Sequence, residues 1–254
     1  MGAPVFAELA AMVSVKSLLC LAVFAGCGDN ALPDYKDNDE DPYFHWDGQS
    51  NVGAYDVDTL SPAELERVLQ RIDALDDEVL VLYAHASPQG VSAATLDAIF
   101  ARARDAGIET LTFADLARGG PKRPGIAVTF DDFEIDAWYG FRDLFDRYDA
   151  RVTFFVTRYQ EWTDDGRQKL HVLYDEGHDI EAHGVHHAYI CQYTVDHTLT
   201  AYVADEVMPS VEILRADGFA PVAFAFPGGA MGNAIVDMLA PDIPITRGTT
   251  QLPE

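Results

Sequence analysis

The chain has 254 residues and a formal charge of −25, from 17 Lys+Arg against 42 Asp+Glu. Hydrophobic residues at 48% and charged residues at 23% make a globular rather than a disordered composition. The shortage of cations argues against a nucleic-acid partner, because phosphate binding relies on Lys and Arg. The length suits one domain, or one domain plus a tail. Three cysteines are too few for a disulfide scaffold, and no run of about 18 apolar residues is present to span a membrane as a helix.

Residues 12–26 read MVSVKSLLCLAVFAG: one Lys, a short apolar stretch, then small residues. This is the layout of a secretory signal. Phe24-Ala25-Gly26-Cys27 resembles a lipobox, where bacterial lipoproteins are cut and the cysteine is acylated. We therefore expect residues 1–27 to be a signal with lipid attachment at Cys27. Several acyl chains anchor firmly where one is marginal, which places the chain at the bacterial cell envelope. Residues 28–58 hold Asp37, Asp39, Glu40 and Asp41 among Pro, Gly and Asn, and read as a solvated acidic tether.

From about residue 59 helix and strand signals alternate. Ser61-Pro62-Ala63-Glu64 carries a cap, a first-turn Pro and a capping-box Glu. Val79–Tyr83 reads as a buried strand, and Ser92 opens a helix that Gly107 stops. Glu109–Phe113 and Gly125–Phe130 read as strands. Trp138, Phe141, Phe145 and Tyr148 mark one helix. Arg151–Val156 is a strand, Thr163–Glu176 a helix closed by Gly177, and His178–Ala182 a strand. A long helix runs from about Thr198 to Asp217, bent or restarted at Pro209. Val222–Phe226 and Ile243–Thr246 finish the set. Such alternation implies parallel strands under helices, either an α/β barrel or a doubly wound sheet. Catalytic groups in these folds sit at the C-terminal ends of strands. That rule points to His85, Asp131-Asp132, His183 and Pro227.

Asp131 and Asp132 close an apolar strand as adjacent carboxylates, which need a cation, a metal or a proton between them. His183 and His187 are four apart and share a face if helical, a common way to present two imidazoles to zinc. His186 is the alternative second ligand. Two His and one carboxylate leave metal positions open, as hydrolysis requires. Cys191 reads as a buried free thiol.

Thr129-Phe130-Asp131-Asp132, the run from Gly177 to His187, and Phe224-Ala225-Phe226-Pro227-Gly228-Gly229 together resemble the successive motifs of polysaccharide deacetylases, carbohydrate esterase family 4. Arg151–Val156 matches the family's second strand region. The resemblance implies a distorted (β/α)7 barrel and metal-dependent removal of acetyl groups, N-acetyl before O-acetyl, from a polysaccharide. It implies Asp131 as general base, Asp132, His183 and His187 as ligands of a divalent metal, most plausibly Zn²⁺, and an oxyanion-binding backbone N–H near Pro227 and Gly228. The family's late Leu-x-His motif, source of the general acid, is missing after Pro227. Val79–His85 offers His85 instead, which resembles a circularly permuted subgroup that includes poly-N-acetylglucosamine deacetylases. Three departures stand out: Phe133 replaces a glycine, Ala225 replaces an arginine that partners the base, and Gly228 replaces an aromatic. Trp138, Tyr139 and Tyr189 could stack on a sugar ring, though Trp138 also fits a core stripe. A catalytically silent carbohydrate-binding protein on the same scaffold is the competing reading. A monomer is expected.

Overall fold

The structure is a computed structural model, and it describes residues 41–251 together with the backbone of Tyr35–Lys36. The expected signal, Cys20 and Cys27 lie outside the described residues.

We label the seven barrel strands β1 (Asn51–Asp56), β2 (Val79–Ala84), β3 (Gly125–Asp132), β4 (Thr153–Val156), β5 (Asp179–Ala182), β6 (Ala223–Ala225) and β7 (Ile245–Thr250). Each pairs in parallel with its sequence neighbours, and β7 returns to pair with β1. The sheet is therefore a closed parallel barrel of seven strands, the fold expected from the sequence. It is distorted at two seams. β5 meets β6 through one residue pair, Ala182 with Phe224, and β1 meets β2 only at its last two residues. Tyr43–Phe44 adds antiparallel to β2, and Glu109–Thr110 adds to β3.

Side-chain alternation along the strands builds two layers. Leu80, Leu82, Ile126, Val128, Phe130, Phe154, Ile180 and Ala182 point outward and pack under the helices. Val52, Ala54, Val79, Val81, Ala127, Phe155, Ala223, Ala225 and Ile245 point inward and fill the barrel. The same inward parity carries Asp131, His183 and Arg247 to the upper end, where the site lies. Phe113 closes the other end, with its ring 5.0 Å from that of Phe155.

Helix starts follow their caps. Ser61 and Glu64 form a reciprocal capping box. Ser92 caps Ala93–Ala106, and Gly107 ends it in the left-handed conformation at φ 71°. Three expectations change. The segment read as strand Glu109–Phe113 is strand only at Glu109–Thr110, because Thr112 and Asp115 form a capping box and start helix Phe113–Arg118. The Trp138–Tyr148 stripe spans two short helices, Ile135–Gly140 and Arg142–Tyr148. The tether does not extend to residue 58. Asn51–Asp56 is a barrel strand with Val52 and Ala54 buried, too short and too mixed with polar residues to register as an apolar run.

The long C-terminal helix comprises Leu199–Tyr202, a wide π turn at Val203–Val207, and Met208–Ala216. Pro209 sits in the first turn after the wide one, where its missing N–H is tolerated.

Candidate active site

Asp131 ends the inward row of β3 and is buried. Asp132 follows and would point outward by strand alternation. Its backbone turns instead to φ 83°, which brings both carboxylates into one site. Positive φ on a non-glycine residue costs about 1–3 kcal/mol and persists where the surroundings over-determine it. Phe133, where the family pattern has a glycine, is not among the positive-φ residues, and its side chain is exposed.

His183 continues the inward row of β5 and is buried. Its Nδ1 lies 2.9 Å from the Ala225 carbonyl oxygen. A carbonyl only accepts, so Nδ1 carries the proton and Nε2 presents a lone pair to the site. Burial holds the ring neutral, pushing its pKa down to about 4 against the upward pull of Asp131. His183 Nε2 is 3.8 Å from Asp132 Oδ1 and 3.9 Å from Asp131 Oδ2. His187 Nε2 is 3.2 Å from Asp132 Oδ1. Burial alone would raise the Asp132 carboxyl, but the His187 hydrogen bond and the neighbouring imidazoles hold it well below the usual range.

Asp132, His183 and His187 offer ligand atoms within 4.8 Å of one another, and no other His/Cys/Asp/Glu trio does so among the described residues. One carboxylate and two imidazoles, one with its tautomer fixed, suit a divalent transition metal with open positions. The histidines do not converge through helical spacing. Residues 183–188 form a loop, with Gly184 at φ 83° and His187 at φ 61°. His186 does not join the trio: its Nδ1 donates to Glu206 Oε1 at 2.6 Å. Cys191 lies on the short helix Ile190–Tyr193, outside the trio, and is disulfide-bonded, so the expected free thiol is not found.

His85 follows β2 and reaches the trio from the opposite wall, its Nε2 3.9 Å from Asp132 Oδ2. Sequence reasoning missed its partner. Asp58 accepts from the His85 backbone N–H at 2.7 Å and from Nδ1 at 2.6 Å, which aims Nε2 at the site. Burial would lower the His85 pKa, yet the Asp58 hydrogen bond and the charges of Asp131, Asp58 and Asp132 raise it to about 9. Asp58 follows the end of β1 as His85 follows the end of β2, but lay inside the segment read as tether.

Arg247 was missed as well. It stands on β7 opposite Ala225 of β6, and its Nη2 donates to both oxygens of Asp131. Position 225, where the family pattern has an arginine, is alanine, and Arg247 on the neighbouring strand partners Asp131. Its guanidinium is fully buried between the rings of Tyr83 and Phe155, at 5.2 and 5.1 Å.

Pro227, Gly228 and Tyr189 form the wall beside His187. The Tyr189 and His187 rings are 5.5 Å apart. A Cβ on Gly228 would lie 2.2 Å from Tyr189 Cε1, and Gly228 has φ 71°, so only glycine lets Tyr189 sit there. Trp138 belongs to the core, fully buried with its ring 4.9 Å from that of Phe154.

Solved structures share the fold. IcaB from Ammonifex degensii superposes with a TM-score of 0.56 at 16% identity, covering 70% of this chain and 92% of that one. BC0361, a polysaccharide deacetylase from Bacillus cereus, gives 0.56 at 23% identity, covering 68% of this chain and 58% of that one. No curated protein sequence matches the chain. The polysaccharide deacetylase family profile matches residues 118–241, which hold Asp131, Asp132, His183 and His187, while Asp58 and His85 lie before the match and Arg247 after it. The chain thus resembles polysaccharide deacetylases, by the family match over residues 118–241 and by the shared barrel.

Proposed function

We propose that the chain is a metal-dependent hydrolase that removes N-acetyl groups from a cell-envelope or extracellular polysaccharide, with zinc as the metal. One observation carries this reading: the Asp132–His183–His187 trio lies between the Arg247-held carboxylate of Asp131 and the Asp58-held imidazole of His85. Asp132, His183 and His187 would hold the metal, which when bound would supply Lewis-acid polarisation of the acetyl carbonyl and a water acidic enough to attack near neutral pH. Asp131, fixed by Arg247, takes the proton from the attacking water. His85 holds a proton on Nε2 and gives it to the departing sugar nitrogen as the carbon–nitrogen bond breaks and acetate leaves. The backbone N–H of Gly228 donates to the developing oxyanion, and Tyr189 borders the sugar.

The silent-binder reading draws on the missing arginine at 225 and the missing aromatic at 228. Arg247 partners Asp131 instead, and a binder needs neither a held base nor a held acid. Acetate release from chitin oligomers, poly-N-acetylglucosamine and peptidoglycan, with and without chelator, tests the proposal. Release that Asp131→Asn leaves unchanged would remove the base.

We propose further that the chain is exported to the bacterial envelope. The signal-like run at residues 12–26 supports this reading. Lipid attachment at Cys27 stands on the Phe24-Ala25-Gly26-Cys27 pattern and requires the Cys27 sulfur. Peptide mapping is expected to find an acylated Cys27; a Cys27–Cys191 disulfide would refute the anchor, since one sulfur cannot hold both bonds.

A further inference from the structure

The proposed mechanism gives no part to Glu206, a buried acid beside the metal-site loop. Glu206 lies in the π turn Val203–Val207, its side chain 3% exposed. Burying a carboxylate is costly unless it is hydrogen-bonded. Every described partner of this one lies on the loop that carries His187. Oε2 accepts from the backbone N–H of His186 at 2.9 Å and of Ala188 at 3.4 Å, and Oε1 accepts from His186 Nδ1 at 2.6 Å. The Glu206 carbonyl oxygen also accepts from Val185 N–H at 3.1 Å.

These bonds flank His187 on both sides, and His187 itself sits at φ 61°. Such a conformation on a histidine needs enforcement from outside. Gly184 shares in it, because a Cβ there would stand 3.2 Å from Glu206 Oε2 and 3.6 Å from Pro227. From the other side, Thr157 Oγ1 donates to the Gly184 carbonyl and Gln160 Nε2 to that of Val185, both at 2.9 Å.

The wide turn explains how the acid gets there. The core-facing residues of this helix run Tyr202, Val207, Val211, Leu214. The steps are five, four and three, where a regular helix alternates three and four. The extra residue in the first step lets Glu206 and Val207 both be buried, one against the loop and one in the core. Single π turns recur at functional sites.

We infer that Glu206 is the positioning residue for the metal site: it sets the 185–188 loop so that the His187 imidazole meets Asp132 and His183. The inference rests on the metal-site reading proposed above. The test is zinc titration of the full chain against a chromophoric chelator, with thermal unfolding of the metal-free protein in parallel. Wild type that binds no zinc would sink the metal-site reading itself. Given wild-type binding, Glu206→Ala is expected to weaken zinc about 10–100-fold, the usual effect of losing a partner that orients a ligand. Glu206→Gln keeps an acceptor for the two backbone N–H groups and is expected to recover most of that loss. His186→Ala keeps the same backbone bonds and is expected to bind zinc nearly as wild type. Should Glu206→Ala fail to fold, Glu206→Asp withdraws the carboxylate by one methylene and is expected to show the same weakening. Folded Glu206→Ala or Glu206→Asp with wild-type zinc affinity overturns the assignment. So does a His186→Ala loss as large as that of His187→Ala, which would make His186 the ligand.

Discussion

Asp58→Asn tests the proton economy of the site, because it removes a charge while nearly keeping the shape. Asp58 fixes the His85 proton on Nδ1 and contributes to the rise of its pKa to about 9. A group at about 9 is roughly 97% protonated at pH 7.5, against about 10% for an ordinary histidine near 6.5. An adjacent opposite charge moves a pKa by about 1–3 units. If Asp58 accounts for about two of them, the variant is roughly 24% protonated at pH 7.5 and about 3% at pH 8.5. The expected loss of acetate release is then about 4-fold at pH 7.5 and about 25-fold at pH 8.5, with the alkaline limb displaced to lower pH. The assay is kcat/KM on N-acetylglucosamine oligomers from pH 6 to 10 with metal supplied. Stability follows with a definite sign. The folded pKa lies above the unfolded one, so the contribution of protonated His85 is complete below about 6.5 and is lost as pH rises through about 9. The metal-free wild type should lose Tm across that window and Asp58→Asn should lose less. Superimposable pH–rate profiles for the two proteins would refute His85 as the acid.

Three further outcomes follow from the same geometry. Arg247→Met strips the buried Asp131 of its partner and is expected to cost about 3–5 kcal/mol by urea unfolding, since breaking a buried pair leaves a charge uncompensated; a cost below about 1 kcal/mol would contradict it. Gly228→Ala drives a methyl group into Tyr189 and is expected to raise KM for oligomers several-fold, whereas unchanged KM would take Tyr189 off the substrate path. His178 is packed against Phe145 and Phe154 and accepts from the Val152 N–H, and burial pushes its pKa down to about 4. Below about pH 6.5 the unfolded chain takes a proton that the native ring refuses, so stability falls with acid through about 4. Asp179, raised to about 6 by burial, acts in the opposite direction between about 6 and 3.8, and His178→Asn should therefore make the chain gain stability on mild acidification. A variant whose Tm tracks wild type from pH 7 to 4.5 would dismiss this.

The sequence by itself determined the local parts. Continuous apolar runs at Val79–Tyr83 and Gly125–Phe130 marked buried strands, caps at Ser61, Ser92 and Thr163 set where helices begin, and strand ends marked His85, Asp131 and His183. These are local properties, readable because a buried strand is a short apolar run and a cap acts within three residues. Only the tertiary structure decided the partners. Arg247 reaches Asp131 across 116 positions because the barrel closes on itself. Asp58 reaches His85 because a strand concealed in an acidic stretch is the barrel's first. Glu206 reaches the His186 loop through a π turn whose extra residue has no sequence signature. His183 and His187 are joined by a loop with two positive φ angles, where helical spacing suggested a helix. In each case the residue's role depends on which distant backbone lies opposite, and no pattern along the chain encodes that until the strands have paired.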